Sequence, residues 1–233
     1  MTAGGRRFPE AVVFDLDGTL VDSAGDLADA LNVMMGELDL AAHSLEAVKG
    51  MIGGGARKLV ERALAAHERP ASEAEIDAIT TRFVAIYRGC ATRQTRLYAG
   101  AETLLAELAA AGVRLGLCTN KPTEIAEDIL VALGIRARFG SVVGSTSGFP
   151  RKPDPAPLLG ALAPLDVAPA AAVLIGDSGA DVGAARAAAV PVVLVTFGYS
   201  RTPVAELGAD ALVSELSAVP SVLDRIWAAR PVQ

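Results

Sequence analysis

The sequence predicts an α/β protein built on a doubly wound parallel sheet, with an all-α cap domain inserted after the first strand. Short apolar runs rich in β-branched residues recur at Ala11 to Phe14, Val113 to Cys118, Ser141 to Val143, Ala172 to Ile175, Val192 to Thr196 and Ala211 to Val213. Helical stretches separate these runs, and strands apolar on both faces belong to a parallel sheet covered on both sides. Between Ser23 and Leu97 the strand pattern stops and helical periodicity takes over.

The first strand is expected at the centre of a Rossmann-like core. The segment that follows reads as amphipathic helices at Asp26 to Leu38, Ala56 to His67 and Glu73 to Cys90, about 75 residues in all, enough for a subdomain. Tyr98-Ala99-Gly100 marks the return to the core. Crossover helices are expected at Ala101 to Ala111, Pro122 to Leu133, Pro155 to Ala163, Ala180 to Ala188 and Val204 to Leu207, several with Pro or Asp near the first turn. The expected division is therefore a catalytic core of residues 1–22 and 98–233 and a helical cap of residues 23–97.

Composition narrows the function. With 52% hydrophobic and 21% charged residues in 233, the chain can bury a large core. A net charge of -6 and only 4% aromatics give neither the basic footprint nor the stacking surface of a nucleic-acid binder. The two cysteines, Cys90 and Cys118, and the two histidines, His43 and His67, are too few and too scattered for a disulfide framework or a thiolate–imidazole metal site. The residues from Met1 to Pro9 lack the apolar stretch of a signal peptide, and the apolar run from Ala187 to Phe197 is too short to span a bilayer. A cytoplasmic protein, monomeric or a small homo-oligomer, without nucleic-acid or membrane partners, is expected.

The polar clusters follow strands. Strand one ends in Asp15-Leu16-Asp17-Gly18-Thr19, where two carboxylates one residue apart call for a positive charge between them, such as a divalent cation. Gly18 permits a tight turn or a close approach to ligand. Strand two ends in Thr119-Asn120-Lys121-Pro122, a hydroxyl and amide at a helix start, which serves either as an anion site or as an ordinary cap. Pro150-Arg151-Lys152-Pro153 stiffens a loop that can hold an ammonium near a negative charge, or simply present solvated cations. A later strand ends in Gly176-Asp177, with Asp181 one helical turn on. In a parallel sheet all these ends meet at one edge, and their hard oxygen ligands suit Mg2+ better than zinc.

These four segments, in this order, resemble the haloacid dehalogenase superfamily of aspartate-nucleophile phosphotransferases across nearly the whole chain. The resemblance implies Asp15 as nucleophile and Asp17 as general acid and base, with Asp17 binding the metal through its backbone carbonyl. It implies that Thr119 and Lys152 steady the phosphoryl oxygens, that Gly18, Thr19 and Asn120 contribute to substrate binding, and that Asp15, Asp17 and Asp177 hold Mg2+ with Asp181 orienting from behind. An acid at position 17 suits ester cleavage rather than dehalogenation. The insertion is similar to the caps of phosphatases that act on small phosphorylated metabolites.

Finer likeness, in Val21-Asp22-Ser23-Ala24, Thr119 to Pro122, Arg151 to Pro157 and Phe197-Gly198-Tyr199, points to the phosphoglycolate phosphatase subgroup. That implies 2-phosphoglycolate as substrate, with the loop Gly53-Gly54-Gly55 and either Arg57 or Lys58 meeting its carboxylate; a plain turn with solvated basic residues is the competing explanation. Gly25 and Ala189 depart from the subgroup pattern. A capped enzyme acting on pyrophosphate or sugar phosphates, and a non-catalytic metabolite-binding regulator, stay open at this point.

Overall fold

The structure, a computed structural model, describes residues 8–228; residues 1–7, read above for a leader peptide, and 229–233, the end of the expected core, lie outside them. The chain enters the sheet with β1 (Ala11–Phe14), whose residues are all buried. The short strand β2 (Val21–Asp22) leads out, and α1 (Ala24–Glu37), α2 (Leu45–Lys49), α3 (Ala56–Ala66) and α4 (Glu73–Arg88) follow before β3 (Arg96–Leu97). β2 and β3 pair antiparallel, with Val21 opposite Leu97, so the helical insertion leaves and returns at one place.

The rest alternates: α5 (Ala101–Ala110), β4 (Arg114–Cys118), α6 (Thr123–Ala132), β5 (Ser141–Val143), α7 (Ala156–Leu162), β6 (Ala172–Gly176), α8 (Gly179–Ala187), β7 (Val192–Val195), β8 (Ala211–Val213) and α9 (Val219–Ala228). The main sheet has six parallel strands in the order β5-β4-β1-β6-β7-β8. From β1 the chain builds outward through β4 and β5, then crosses back to lay β6 on the other flank of β1. That reversal makes the carboxyl end of β1 the switch point at which open α/β sheets bind ligands.

Alternation along β1 serves two helical layers. Val12 and Phe14 join one apolar cluster with Leu104, Leu108 and Ile129, while Ala11 and Val13 join a second with Leu158, Leu162 and Ala185. Every residue of the strand is thus apolar, as a strand covered on both faces requires.

The six expected strands are all present, and the doubly wound sheet with its helical insertion is observed. Val204 to Leu207 is a single 3-10 turn, Val204–Glu206, rather than a crossover helix. Helices α2 and α9 and the β2/β3 ladder were not foreseen; two-residue strands and a five-residue helix are too short to show a period. Among the described residues no helix is long and apolar enough to cross a membrane.

Asp26, in the first turn of α1, fastens the insertion to its stem. Its fully buried carboxylate accepts from Gln94 N (2.9 Å), Thr95 N (2.9 Å) and Thr95 Oγ1 (2.8 Å), just before β3. Asp26→Ala strands these three donors in an apolar setting, so it should lower the free energy of unfolding by about 3 kcal/mol or more. Urea denaturation of the purified variant checks this, and a loss below ~1 kcal/mol would mean that water replaces the carboxylate at little cost.

Candidate active site

Four chain segments converge at the carboxyl edge of the sheet. Asp15 and Asp17 follow β1, Thr119 and Asn120 follow β4, Lys152 comes from the loop between β5 and α7, and Asp177 follows β6. All six line a cavity of about 390 Å3 whose remaining wall includes Gly53, Gly54, Gly55, Leu59, Phe83 and Tyr87 from the helical insertion.

The Lys152 ammonium is buried at the meeting point. Its Nζ lies 2.7 Å from the Cys118 carbonyl, 2.6 Å from Asp181 Oδ1 and 3.1 Å from Asp15 Oδ1. Burial opposes its charge, but Asp15 and Asp181 outweigh burial and hold it firmly protonated, with a raised pKa. Asn120 fixes the loop by a two-way amide pair: its Nδ2 donates to Lys152 O (3.0 Å) and its Oδ1 accepts from Lys152 N (2.9 Å). Both ends of the Asn120 side chain are therefore engaged in holding Lys152.

Asp181 is saturated. Beyond Lys152, its Oδ2 accepts from Ser178 Oγ (2.6 Å) and Ser178 N (3.1 Å), closing a capping box at the start of α8. Helix capping and the support of Lys152 are thus performed by one carboxylate. Asp177 Oδ2 accepts from Tyr199 N (2.6 Å), and Asp15 Oδ1 accepts from Leu16 N (2.7 Å). Their other oxygens have no protein donor among the described residues.

Asp15, Asp177 and Asp181 each bring one oxygen within 4.8 Å of the others. Burial pushes the Asp15 carboxyl up to about 6; Lys152 pulls it down, and Asp181 and Asp17 push it up. Burial likewise holds the Asp177 carboxyl well above its ordinary value, reinforced by repulsion from Asp181 and Asp15. One ammonium does not balance so many carboxylates, and the open oxygens of Asp15 and Asp177 fit a hard divalent cation.

Gly18 makes this closeness possible. Its φ of +79° is in the left-handed region, and a β-carbon there would run into the Asp177 carboxylate and the Tyr199 ring. Neither Gly18 nor Thr19 lines the cavity, and the Thr19 hydroxyl is buried with no partner among the described residues.

Asp17 is steadied by residues whose part the sequence did not reveal. Its Oδ1 accepts from Ser23 Oγ and lies 2.8 Å from the buried Lys121 Nζ, which also donates to Tyr87 Oη at 2.7 Å. The ammonium sits 4.5 Å from the centre of the Tyr87 ring. Tyr87 belongs to α4, so a helix of the insertion helps place a carboxylate of the core. Lys121 stood in the string after strand two, but burial alone shows that it is an internal cation.

Arg57 and Lys58 do not line the cavity. Arg57 is taken up by Glu61, Glu73 and Asp77, and Lys58 by Glu61 (2.6 Å). The glycine loop beside them does line it, with positive φ at Gly53, Gly54 and Gly55.

Sheet order and the loops on its carboxyl edge place the protein among doubly wound α/β proteins that carry an inserted helical cap. The model of the haloacid dehalogenase-like hydrolases matches residues 12–195, and the chain belongs to that family. It is 46% identical to a phosphoglycolate phosphatase of Rhodospirillum rubrum over 91% of this chain and 89% of the relative. It is 42% identical to a plasmid-borne phosphoglycolate phosphatase of Cupriavidus necator, over 91% and 92% of the two chains. The crystal structure of a predicted phosphoglycolate phosphatase from Haemophilus somnus superposes with a TM-score of 0.85 at 32% identity, covering 94% of this chain and 99% of that one.

Two outcomes follow from the site's electrostatics. Lys121→Met keeps the length of the side chain but removes the cation beside Asp17, and kcat should fall at least ~10-fold with KM changed little, as for a residue that positions an acid–base group; steady-state kinetics decide, and an unchanged kcat would show that Ser23 alone suffices. A carboxyl held at about 6 in the folded chain, against 3.8 ordinarily, favours its protonated form, so its charge weakens the metal-free fold above pH 6 and has no such effect below 3.8. Asp15→Asn in EDTA should therefore gain about 1 to 3 kcal/mol at pH 7.5, with the gain shrinking toward pH 4. Denaturant titrations at the two pH values test the sign; an equal effect at both would locate the change elsewhere.

Proposed function

We propose that the protein is a Mg2+-dependent phosphomonoesterase that hydrolyses 2-phosphoglycolate to glycolate and phosphate through an aspartyl phosphate on Asp15. The observation that carries this is the convergence of Asp15, Asp17, Thr119, Lys152 and Asp177 on one cavity of about 390 Å3. The substrate is taken from the relatives, named phosphoglycolate phosphatases, that this chain resembles over nine-tenths of its length. We assign residues 1–22 and 98–233 to the catalytic core and 23–97 to the cap, and place the protein in the cytoplasm, in keeping with the free buried cysteines Cys90 and Cys118.

Each residue's part follows from its contacts. Leu16 N and Lys152 hold one oxygen of Asp15, which leaves the second to form the bond to phosphorus. As the ester P–O bond breaks, Asp17 gives a proton to the departing glycolate oxygen. Ser23 and Lys121 both engage Asp17 Oδ1, so the proton travels on Oδ2. Water then attacks the phosphorus of the acyl phosphate, Asp17 takes the proton from that water, and Asp15 is released as carboxylate with free phosphate.

The Lys152 ammonium and the Thr119 hydroxyl face the phosphoryl oxygens and offset their charge. We assign the Mg2+ ligands to the Asp15 carboxylate through the oxygen that does not attack phosphorus, the free oxygen of Asp177 and the backbone carbonyl of Asp17; when bound, the ion would neutralise the carboxylates and draw charge from the phosphoryl group. Asp181, fully occupied by Lys152 and Ser178, orients the lysine.

Rapid quenching of the wild-type enzyme with 32P-labelled phosphoglycolate should trap label on the protein as a hydroxylamine-sensitive acyl phosphate. Asp15→Asn should trap none and release no phosphate. Label retained by the Asn variant would remove Asp15 as nucleophile.

A further inference from the structure

The cavity contains more positive charge than the phosphoryl chemistry uses. Its lining includes four cationic side chains, Arg62, Lys121, Lys152 and Arg201. Lys121 is balanced by Asp17, and Lys152 by Asp15 and Asp181. Arg62, on α3, and Arg201, in the segment after β7, meet no carboxylate among the described residues. Glu61, the neighbouring acid on α3, is already engaged by Arg57 and Lys58.

Arg62 is held in place without being neutralised. Its Nη1 donates to the carbonyls of Met51 (2.6 Å) and Gly53 (2.6 Å), which sets the plane of the guanidinium against the glycine loop and leaves Nη2 with no acceptor among the described residues. Burial first and then the nearby charge of Arg201 weaken its hold on its proton, more than the charge of Glu61 on the same helix restores it. Two guanidinium groups kept close, one of them partly desolvated, repel each other unless an anion lies between them. In a chain of net charge -6, such a pair facing the catalytic cavity marks where an anionic ligand belongs.

We propose that Arg62 of the cap and Arg201 of the core form a clamp for the carboxylate of the substrate, the part of the molecule that is not transferred. The clamp rests on the reading of this site as a phosphatase for a phosphorylated carboxylic acid. A planar guanidinium fork matches a carboxylate through paired hydrogen bonds, which a lysine cannot reproduce. The N-terminus of α3, which opens from Gly55 on the same wall, adds favourable backbone N–H groups. Because one arginine comes from the insertion and the other from the core, a bound carboxylate would tie cap to core. The glycine loop lines the cavity, and the cation beside it there lies one turn further along α3 than Arg57 and Lys58.

The test compares kcat/KM for 2-phosphoglycolate with that for ethyl phosphate, which lacks the carboxylate, in the wild type, Arg62→Lys and Arg201→Gln. Arg201 is exposed, so glutamine there costs little packing, and lysine at 62 keeps the charge while losing the fork. Both substitutions should lower the ratio at least tenfold, with the loss carried by KM for the acid. A ratio within twofold of wild type in both variants would overturn the clamp. If the wild type does not favour phosphoglycolate but favours a longer carboxylated ester such as 3-phosphoglycerate, and the variants lose that preference, the clamp stands and only the named substrate falls. A wild type that favours no carboxylated ester overturns both.

Discussion

A single buried ammonium organises this molecule. Lys152 reaches the sheet edge from a loop more than a hundred residues beyond Asp15, and its partners are the last carbonyl of β4, a carboxylate after β1 and a carboxylate on α8. An unpaired lysine at that depth would be neutral or would unfold the protein; surrounded by acids it stays charged. The same acids could not stand so close without it. Asn120 and the capping box of Asp181 then serve to hold this arrangement still.

The cation is not enough, and that shortfall is where function enters. The carboxyl groups of Asp15 and Asp177 lie above their ordinary range because they are buried among like charges. A divalent ion at the oxygens that no protein donor reaches would relieve this. Stability has been conceded at the spot where binding is needed, a familiar relation between active sites and the folds that carry them.

The helical insertion does more than cover the cavity. Its stem is knotted at the core by Tyr199, whose hydroxyl donates to Asp22 (2.6 Å) and accepts from Ser23 N (3.0 Å). Tyr87 touches Lys121, which touches Asp17, so the seating of α4 bears directly on a carboxylate of the candidate site. Burial strengthens these interactions, because the effective dielectric away from bulk water is lower. The clustered carboxylates and Lys152 come from the core, while Arg62 on the insertion and Arg201 add the remaining positive charge to the cavity lining.

What the sequence by itself determined is the sheet and its reactive edge. A parallel sheet sends the carboxyl ends of all its strands to one side, so residue types at strand ends, read locally, already placed Asp15, Asp17, Thr119, Lys152 and Asp177 together. What only the tertiary structure decided is which way helical and loop side chains face. Arg57, Lys58 and Arg62 lie within two turns of one helix, and nothing in their spacing tells that the first two turn to Glu61, Glu73 and Asp77 while the third turns to the cavity. Asn120, a cap or a ligand on sequence grounds, became the clasp of the Lys152 loop because its partner arrives from 32 residues away. Lys121 and Tyr87 are likewise joined only by the docking of α4 on the core. Period and residue type are local properties of a chain, whereas burial and charge pairing belong to contacts between distant segments, and those exist only once the chain has folded.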